Sequence, residues 1–345
     1  MSRTRLSLKH LFAGASIALA SLSTFAAETW KYAIEEVPGS IMDSYAQEFK
    51  RRIEKASNGE VAVKIYHMGQ LGTSAEMAEQ AIDGTVHFVN VAVGALGTLV
   101  PESQVFLMNY VLPDGPDAVN KVLASDKLVR GALGKSFDKR GLRLQALYSE
   151  GPQVWTTNRL VRKPADFKGF KMRVMVSPVL LDAYADLGAS PTPMPFGEVY
   201  GALQLKQVDG QVNPVPAIEE MKFYEVTNYM IWAGEQELVT AIVSGSEWFS
   251  KLPPQRQRMI EATITDMHGY VNDVVKRFNS ERLQKIKAAK PNIQMVQLNE
   301  AERAEFRKAS MATHAKFQKH VGIEGKKILD GFLADVAAVS ASSAK

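Results

Sequence analysis

An arginine stands in the middle of a short apolar run, and that placement constrains the chain more than any other feature. Residues 171–176, Lys-Met-Arg-Val-Met-Val, have the long and β-branched side chains of a strand, with Arg173 inside it. A lone buried charge costs several kcal/mol, so the guanidinium needs an anion. Its planar fork suits a carboxylate held bidentately. The anion is either a neighbour in the chain, with Asp182, Glu198 and Asp209 as candidates, or one supplied from outside. The pattern alone leaves both open. After the strand, Ser177 and Pro178 form a cap and first turn for a helix over 179–187 that closes on Gly188. A proline-rich turn at 191–195 leads to a second helix over 197–206. The tight turn Asp209-Gly210 then presents Asn213 ahead of Pro214.

Lys171, Arg173 and Pro178 are followed by Gly188-Ala-Ser-Pro-Thr-Pro193, by Glu198-Val-Tyr200 with Ala202-Leu-Gln204, and by Val208-Asp-Gly-Gln-Val-Asn-Pro214. In that order they resemble the signature of the solute-binding proteins of tripartite ATP-independent periplasmic (TRAP) transporters, the DctP-like family. The resemblance implies that Arg173 grips a ligand carboxylate and Asn213 assists. It implies an α/β fold of the type II-like periplasmic binding proteins: two domains, a central cleft, hinge strands and a long spanning helix. Residues 30–36, Trp-Lys-Tyr-Ala-Ile-Glu-Glu, and Phe88-Val-Asn90 are most similar to the ectoine-binding branch. That branch would assign Glu36 to the cationic part of a ligand. The departures also matter. Val215-Pro-Ala217 and Ala95 stand where aromatic walls are expected, Val176 replaces an Asn, and Gln153 replaces an Arg. Fewer cations suit one carboxylate, and a missing aromatic box weakens cation–π capture. The expected ligand is therefore a small hydroxy- or keto-monocarboxylate, with Glu36 facing a hydroxyl or amine. Ectoine-type solutes, C4-dicarboxylates and an exported enzyme using a carboxylate substrate are the alternatives.

The first 26 residues have their own grammar. Arg3, Arg5 and Lys9 precede an apolar run over 11–22, and Thr24-Phe-Ala26 offers small residues for cleavage. This is the pattern of a secretory signal peptide cut after Ala26, or after Ala27. Without those three cations, 41 Lys and Arg against 37 Asp and Glu become 38 against 37, so the charge gives no argument for nucleic acid. The chain has no cysteine, which excludes disulfides, thiol nucleophiles and a lipid anchor. A periplasmic monomer that is not membrane-inserted is expected, with the TRAP permease subunits and a small carboxylate as partners.

Alternation and helical spacing give strand, helix, strand, helix, strand over 30–34, 40–56, 60–66, 74–83 and 86–93, the pattern of a parallel α/β unit. One helix is expected over 117–140 and a strand over 142–148. Glu150-Gly-Pro152 reads as a hinge, and 238–244 as a strand returning to the first domain. The long apolar stripe over 255–289 makes a helix able to span both domains. These readings divide the chain into a first domain of 27–150 plus 239–283 and a second of 151–238 plus 284–340, closed by two helices.

No enzyme motif is present, and the six histidines show no ligand spacing. No catalytic residue, metal ligand or cofactor is expected. Trp155, Phe196, Trp232 and Phe106 are candidate walls for the apolar part of a ligand, with Trp155 foremost.

Overall fold

The computed structural model describes residues 27–343. The cleavage site expected near Ala26 lies outside them. Two mixed sheets organise the fold. The first uses β1 (Glu28–Ile34), β2 (Val61–Tyr66), β3 (Phe88–Ala92), β4 (Leu142–Pro152) and β10 (Glu237–Gly245), in the order β2-β1-β3-β10-β4. The second uses β5 (Val154–Thr157), β6 (Lys171–Val174), β7 (Ser190–Pro193), β8 (Gly210–Asn213), β9 (Tyr229–Trp232) and β11 (Gln294–Gln297), in the order β11-β9-β5-β8-β6-β7.

The first three strands are parallel, as their apolar runs predict, and β10 returns late in the chain to pair antiparallel with both β3 and β4. Trp30, Tyr32 and Ile34 of β1 pack with Tyr45, Phe49 and Ile53 of the helix Ile41–Ala56, while Ala33 joins the core on the other face. Ser40 caps that helix, its hydroxyl oxygen accepting the Asp43 N–H at 3.0 Å.

Two local readings change. The single helix expected over 117–140 is three pieces, Pro116–Leu123, Asp126–Val129 and Ala132–Asp138. The chain turns at Gly131, where a Cβ would meet the Lys127 carbonyl oxygen at 1.9 Å. The proline-rich segment read as a turn is β7, a parallel partner of β6 with Arg173 opposite Thr192. It lies at the sheet edge, where a proline costs no ladder hydrogen bond on the open side.

Only Gln153 separates β4 from β5, so the chain passes directly from one sheet to the other; β10 crosses back, with Glu237 opposite Pro152. Gly151 has φ +115°, and a Cβ there would lie 2.7 Å from Asn279 Nδ2. Asn279 donates through Nδ2 to the Glu150 carbonyl at 2.8 Å. It belongs to the helix Pro254–Ala289, which packs Ile260, Ile264, Met267, Val271 and Val274 against the first sheet's core and Ile286 against Phe223 and Met230 of the second. This helix therefore spans both halves. The terminal helical stretch Glu300–Ser343 bends at Gly322 (φ 69°), giving two consecutive helices. Among the described residues, no helix is long and apolar enough to cross a membrane.

Trp155 is core. It is fully buried in central strand β5, its Nε1 donates to Tyr184 Oη at 3.1 Å, and Phe167 and Phe306 meet it edge-on at 5.0 and 5.2 Å. Trp155→Ala is expected to cost about 3–5 kcal/mol of stability through the cavity it leaves, measured by urea unfolding.

Candidate functional site

A cavity of about 370 Å³ lies between the sheets, lined from both. It sits at the carboxyl ends of β1, β3, β6 and β8, where open α/β sheets bind ligands. A larger cavity, about 870 Å³, lies elsewhere along the crossing strands, lined by Ser149, Gly151 and Glu237 among others, and reached by neither Arg173, Asn213 nor Glu36.

Arg173, Asn213, Glu36 and Phe196 all line the smaller cavity. Arg173 is 1% exposed. Its Nε and Nη2 both donate to the Met194 carbonyl, at 3.1 and 2.7 Å. The Met194 N–H in turn donates to the Val174 carbonyl at 3.1 Å, so the backbone beyond β7 is tied to the end of β6. None of the three internal candidates neutralises the guanidinium. Asp182 pairs with His320, Asp209 accepts the Lys171 N–H, and Glu198 acts on Arg173 only through its field. Burial lowers the Arg173 pKa to about 10, opposed by Glu35 and Glu198, so it stays charged at neutral pH. Asn213 Nδ2 donates to Gln211 Oε1 at 2.5 Å, and Gln211 Nε2 to Thr156 Oγ1 at 2.7 Å, a chain that orients the end of β8.

The first sheet supplies acid. Glu36 is 4% exposed, and its Oε2 accepts the Met42 N–H at 3.3 Å. Alternation places only one carboxylate of the pair at a cleft; instead both line it, because the chain turns at the end of β1. Glu35 accepts the Ala92 N–H at Oε1 and the Ser74 hydroxyl at Oε2, each at 2.6 Å. Burial raises its pKa to about 7, against the pull of Ser74, Ala92 and Arg173. Sequence reasoning missed this residue as a second wall; its adjacency to Glu36 was the available signal.

Two expected site residues lie elsewhere. Trp155 faces the core described above, in one cluster with its register partners Val212 and Ile231. Gln153 is the link between β4 and β5; its N–H donates to the Gln236 carbonyl at 2.9 Å and its side chain lines neither of these cavities. Trp232 is outside the smaller cavity too, and Phe106 borders the larger one. The apolar wall is instead Met68, Met77, Met175 and Met194 with Phe196, whose ring meets Phe223 edge-on at 5.9 Å. Thioether side chains shape themselves to an occupant more readily than aromatic rings do.

The family model for bacterial extracellular solute-binding proteins, family 7 (DctP), matches residues 32–320. The ectoine/5-hydroxyectoine-binding periplasmic protein UehA of Ruegeria pomeroyi is 34% identical over 95% of this chain and 96% of its own. The periplasmic ectoine-binding protein of the TeaABC TRAP transporter of Halomonas elongata has a solved structure with 33% identity and a TM-score of 0.87, covering 90% of this chain and 100% of that one. The sialic acid-binding periplasmic protein SiaP of Vibrio cholerae is 31% identical over 88% of this chain and 92% of its own.

Burial raises Glu35 to about 7, Glu237 to about 7, Glu235 to about 8 and Glu220 to about 9, all from 4.5. A raised carboxyl pKa means that the folded state holds protons the unfolded state has released. Stability should therefore fall as pH rises from about 4.5 to about 9 across these groups. Carboxylates with lowered values, such as Glu48 at about 2, act only below that window. Urea midpoints measured across pH should show the decline, and Glu35→Gln should flatten its lower part.

Proposed function

This chain belongs to the bacterial extracellular solute-binding proteins of family 7, and on that footing we propose that it captures a small organic acid bearing one carboxylate and, at its far end, hydrogen-bond donors. TRAP solute-binding proteins bind small molecules and work with a membrane permease. In this reading the protein acts as a monomer in the periplasm, after removal of residues 1–26, and passes its ligand to the permease subunits without altering it. The two sheets and their strands correspond to two lobes that close about the β4 and β10 crossings.

The observation that carries the reading is the polarity of one cavity. A buried guanidinium whose partner among the described residues is a carbonyl lies on one side, and a buried and a half-buried carboxyl group, Glu36 and Glu35, come from the other sheet. The carboxylate of the ligand would take the fork of Arg173, with Asn213 as a neutral donor beside it. Closure would exclude water and strengthen that pairing. A second carboxylate on the ligand would meet Glu35 and Glu36, which disfavours dicarboxylates. A hydroxyl or ammonium is better accommodated there than a keto oxygen, which can only accept. The apolar middle would rest on the methionines and Phe196.

An ectoine-type zwitterion is the second reading, favoured by the similarity to UehA and to the ectoine-binding protein of Halomonas elongata. It has the required carboxylate and donor ends, but Phe196 is the one aromatic side chain among the described residues lining the cavity. Thermal-shift screening of hydroxy, keto, amino and dicarboxylic acids together with ectoine separates the two.

Arg173→Ala should weaken binding by roughly a hundredfold or more, and Arg173→Lys should recover only part of that, because it keeps the charge without the fork. Unchanged calorimetric affinity in Arg173→Ala refutes the assignment. Appearance of a product during incubation with the ligand would favour an enzyme instead.

A further inference from the structure

Glu36 belongs to a buried group of three carboxyls, each from a different part of the fold. Glu36 follows β1, Glu150 lies in β4 just before the crossing, and Glu220 ends the helix Val215–Glu220 of the second half. Glu36 and Glu150 are 4% and 1% exposed, and after burial each is the strongest influence on the other's ionisation. Two ionised carboxyls so placed would repel each other with no hydrogen to share, which favours one of them holding a proton.

The surrounding donors say which. Glu36 receives the Met42 N–H, in the first turn of the helix Ile41–Ala56, at 3.3 Å. Amide donors and the positive end of a helix favour a carboxylate there. Glu150 is differently placed. Its Oε1 accepts the Thr240 hydroxyl at 3.0 Å, but its Oε2 is fully buried and receives no donor among the described residues. An oxygen in that position is an orphan if ionised and satisfied if it holds the hydrogen.

We propose that Glu150 carries the proton of this pair and donates it to Glu36, so that Glu36 faces the cavity as a carboxylate and selects a ligand whose far end is an ammonium, amidinium or hydroxyl group. Glu150 does not line the cavity, so it is a positioning residue. The inference rests on the reading above for the ligand itself, with Arg173 holding its carboxylate. The other charges around the pair agree. Glu220 and Glu35 are the carboxyls facing it, and Tyr148 lies beside it on β4. Arg282 is committed to Glu219, to Glu220 at 3.8 Å and to the Gly39 carbonyl at 2.8 Å, while Lys285 acts on Glu220. Burial, then the charge of Glu36, pushes Glu150 well above the usual carboxylate range. When alkaline pH removes its proton, Glu36 loses a donor and gains a like charge, and the cavity becomes hostile to an incoming carboxylate.

The test has a ligand-free arm and a binding arm. In protein labelled at the glutamate δ-carbons, the resonance that Glu150→Gln deletes should remain in its protonated position through neutral pH. A resonance that titrates in the ordinary acidic range overturns the proposal, whether or not any ligand binds. With ectoine and γ-hydroxybutyrate as probes, Glu150→Ala should weaken binding by about tenfold or more. Glu150→Gln, whose amide is a permanent donor, should restore affinity to within about threefold and abolish the alkaline fall expected of the unaltered protein. A Gln variant as weak as the Ala variant, or one that keeps the alkaline fall, overturns it. Retained affinity in Arg173→Ala would instead strike the carboxylate reading and leave the resonance result standing.

Discussion

The guanidinium of Arg173 has given up water without gaining an ion-pair partner among the described residues, and the arrangement of the second sheet follows from keeping it that way. Its Nε and Nη2 share one carbonyl, that of Met194, which is a dipole rather than a charge. A carbonyl holds the side chain in place yet leaves its charge uncompensated. That carbonyl is available because β7 runs along β6 and the chain beyond it is tied back to Val174. The prolines of β7 suit an edge strand, stiffen it, and lead directly into the cavity wall at Met194, Pro195 and Phe196.

The first sheet meets this cation with acids that are themselves held by backbone donors. Glu35 takes the amide at the end of β3, and Glu36 takes one from the first turn of a helix. The two polarities are carried on separate sheets, linked by β4, β10 and the helix Pro254–Ala289. An occupant bearing both kinds of group would bridge the sheets, so binding and lobe closure would draw on the same contacts. Asn279 and Gly151 fix the helix against one crossing strand, which gives any such motion a defined pivot.

Much of this was legible in the chain itself. Apolar periodicity marked the strands of the first sheet, the capped helix after Ser40 and the long spanning helix, because each buries one stripe or both faces of a regular element. The signature around Arg173 pointed to the family and, by resemblance, to Arg173 and Asn213, and the run over 30–36 to Glu36. Phe196 also lay where expected. Failures arose where local pattern and long-range pairing disagree. Residues 191–195 look like a turn because proline usually breaks structure, and only the edge position beside β6 makes the first three of them part of a strand. Trp155 looks like a binding wall beside a hinge, but its ring points into a layer completed by Phe306, some 150 positions later.

The sequence by itself determined that a charge must be buried in a strand, that α/β elements alternate around it and that no cysteine chemistry is available, since composition and spacing are properties of the chain. Which carboxyls would face that charge, and how far each would be buried, were decided by tertiary structure. Glu35, Glu36, Glu150 and Glu220 are separated by long stretches or set side by side with no distinguishing pattern. Their environments differ only after folding, when burial takes water most completely from Glu36 and Glu150, and the turn after β1, the crossing of β4 and the N-terminus of one helix distribute the donors unequally among the four.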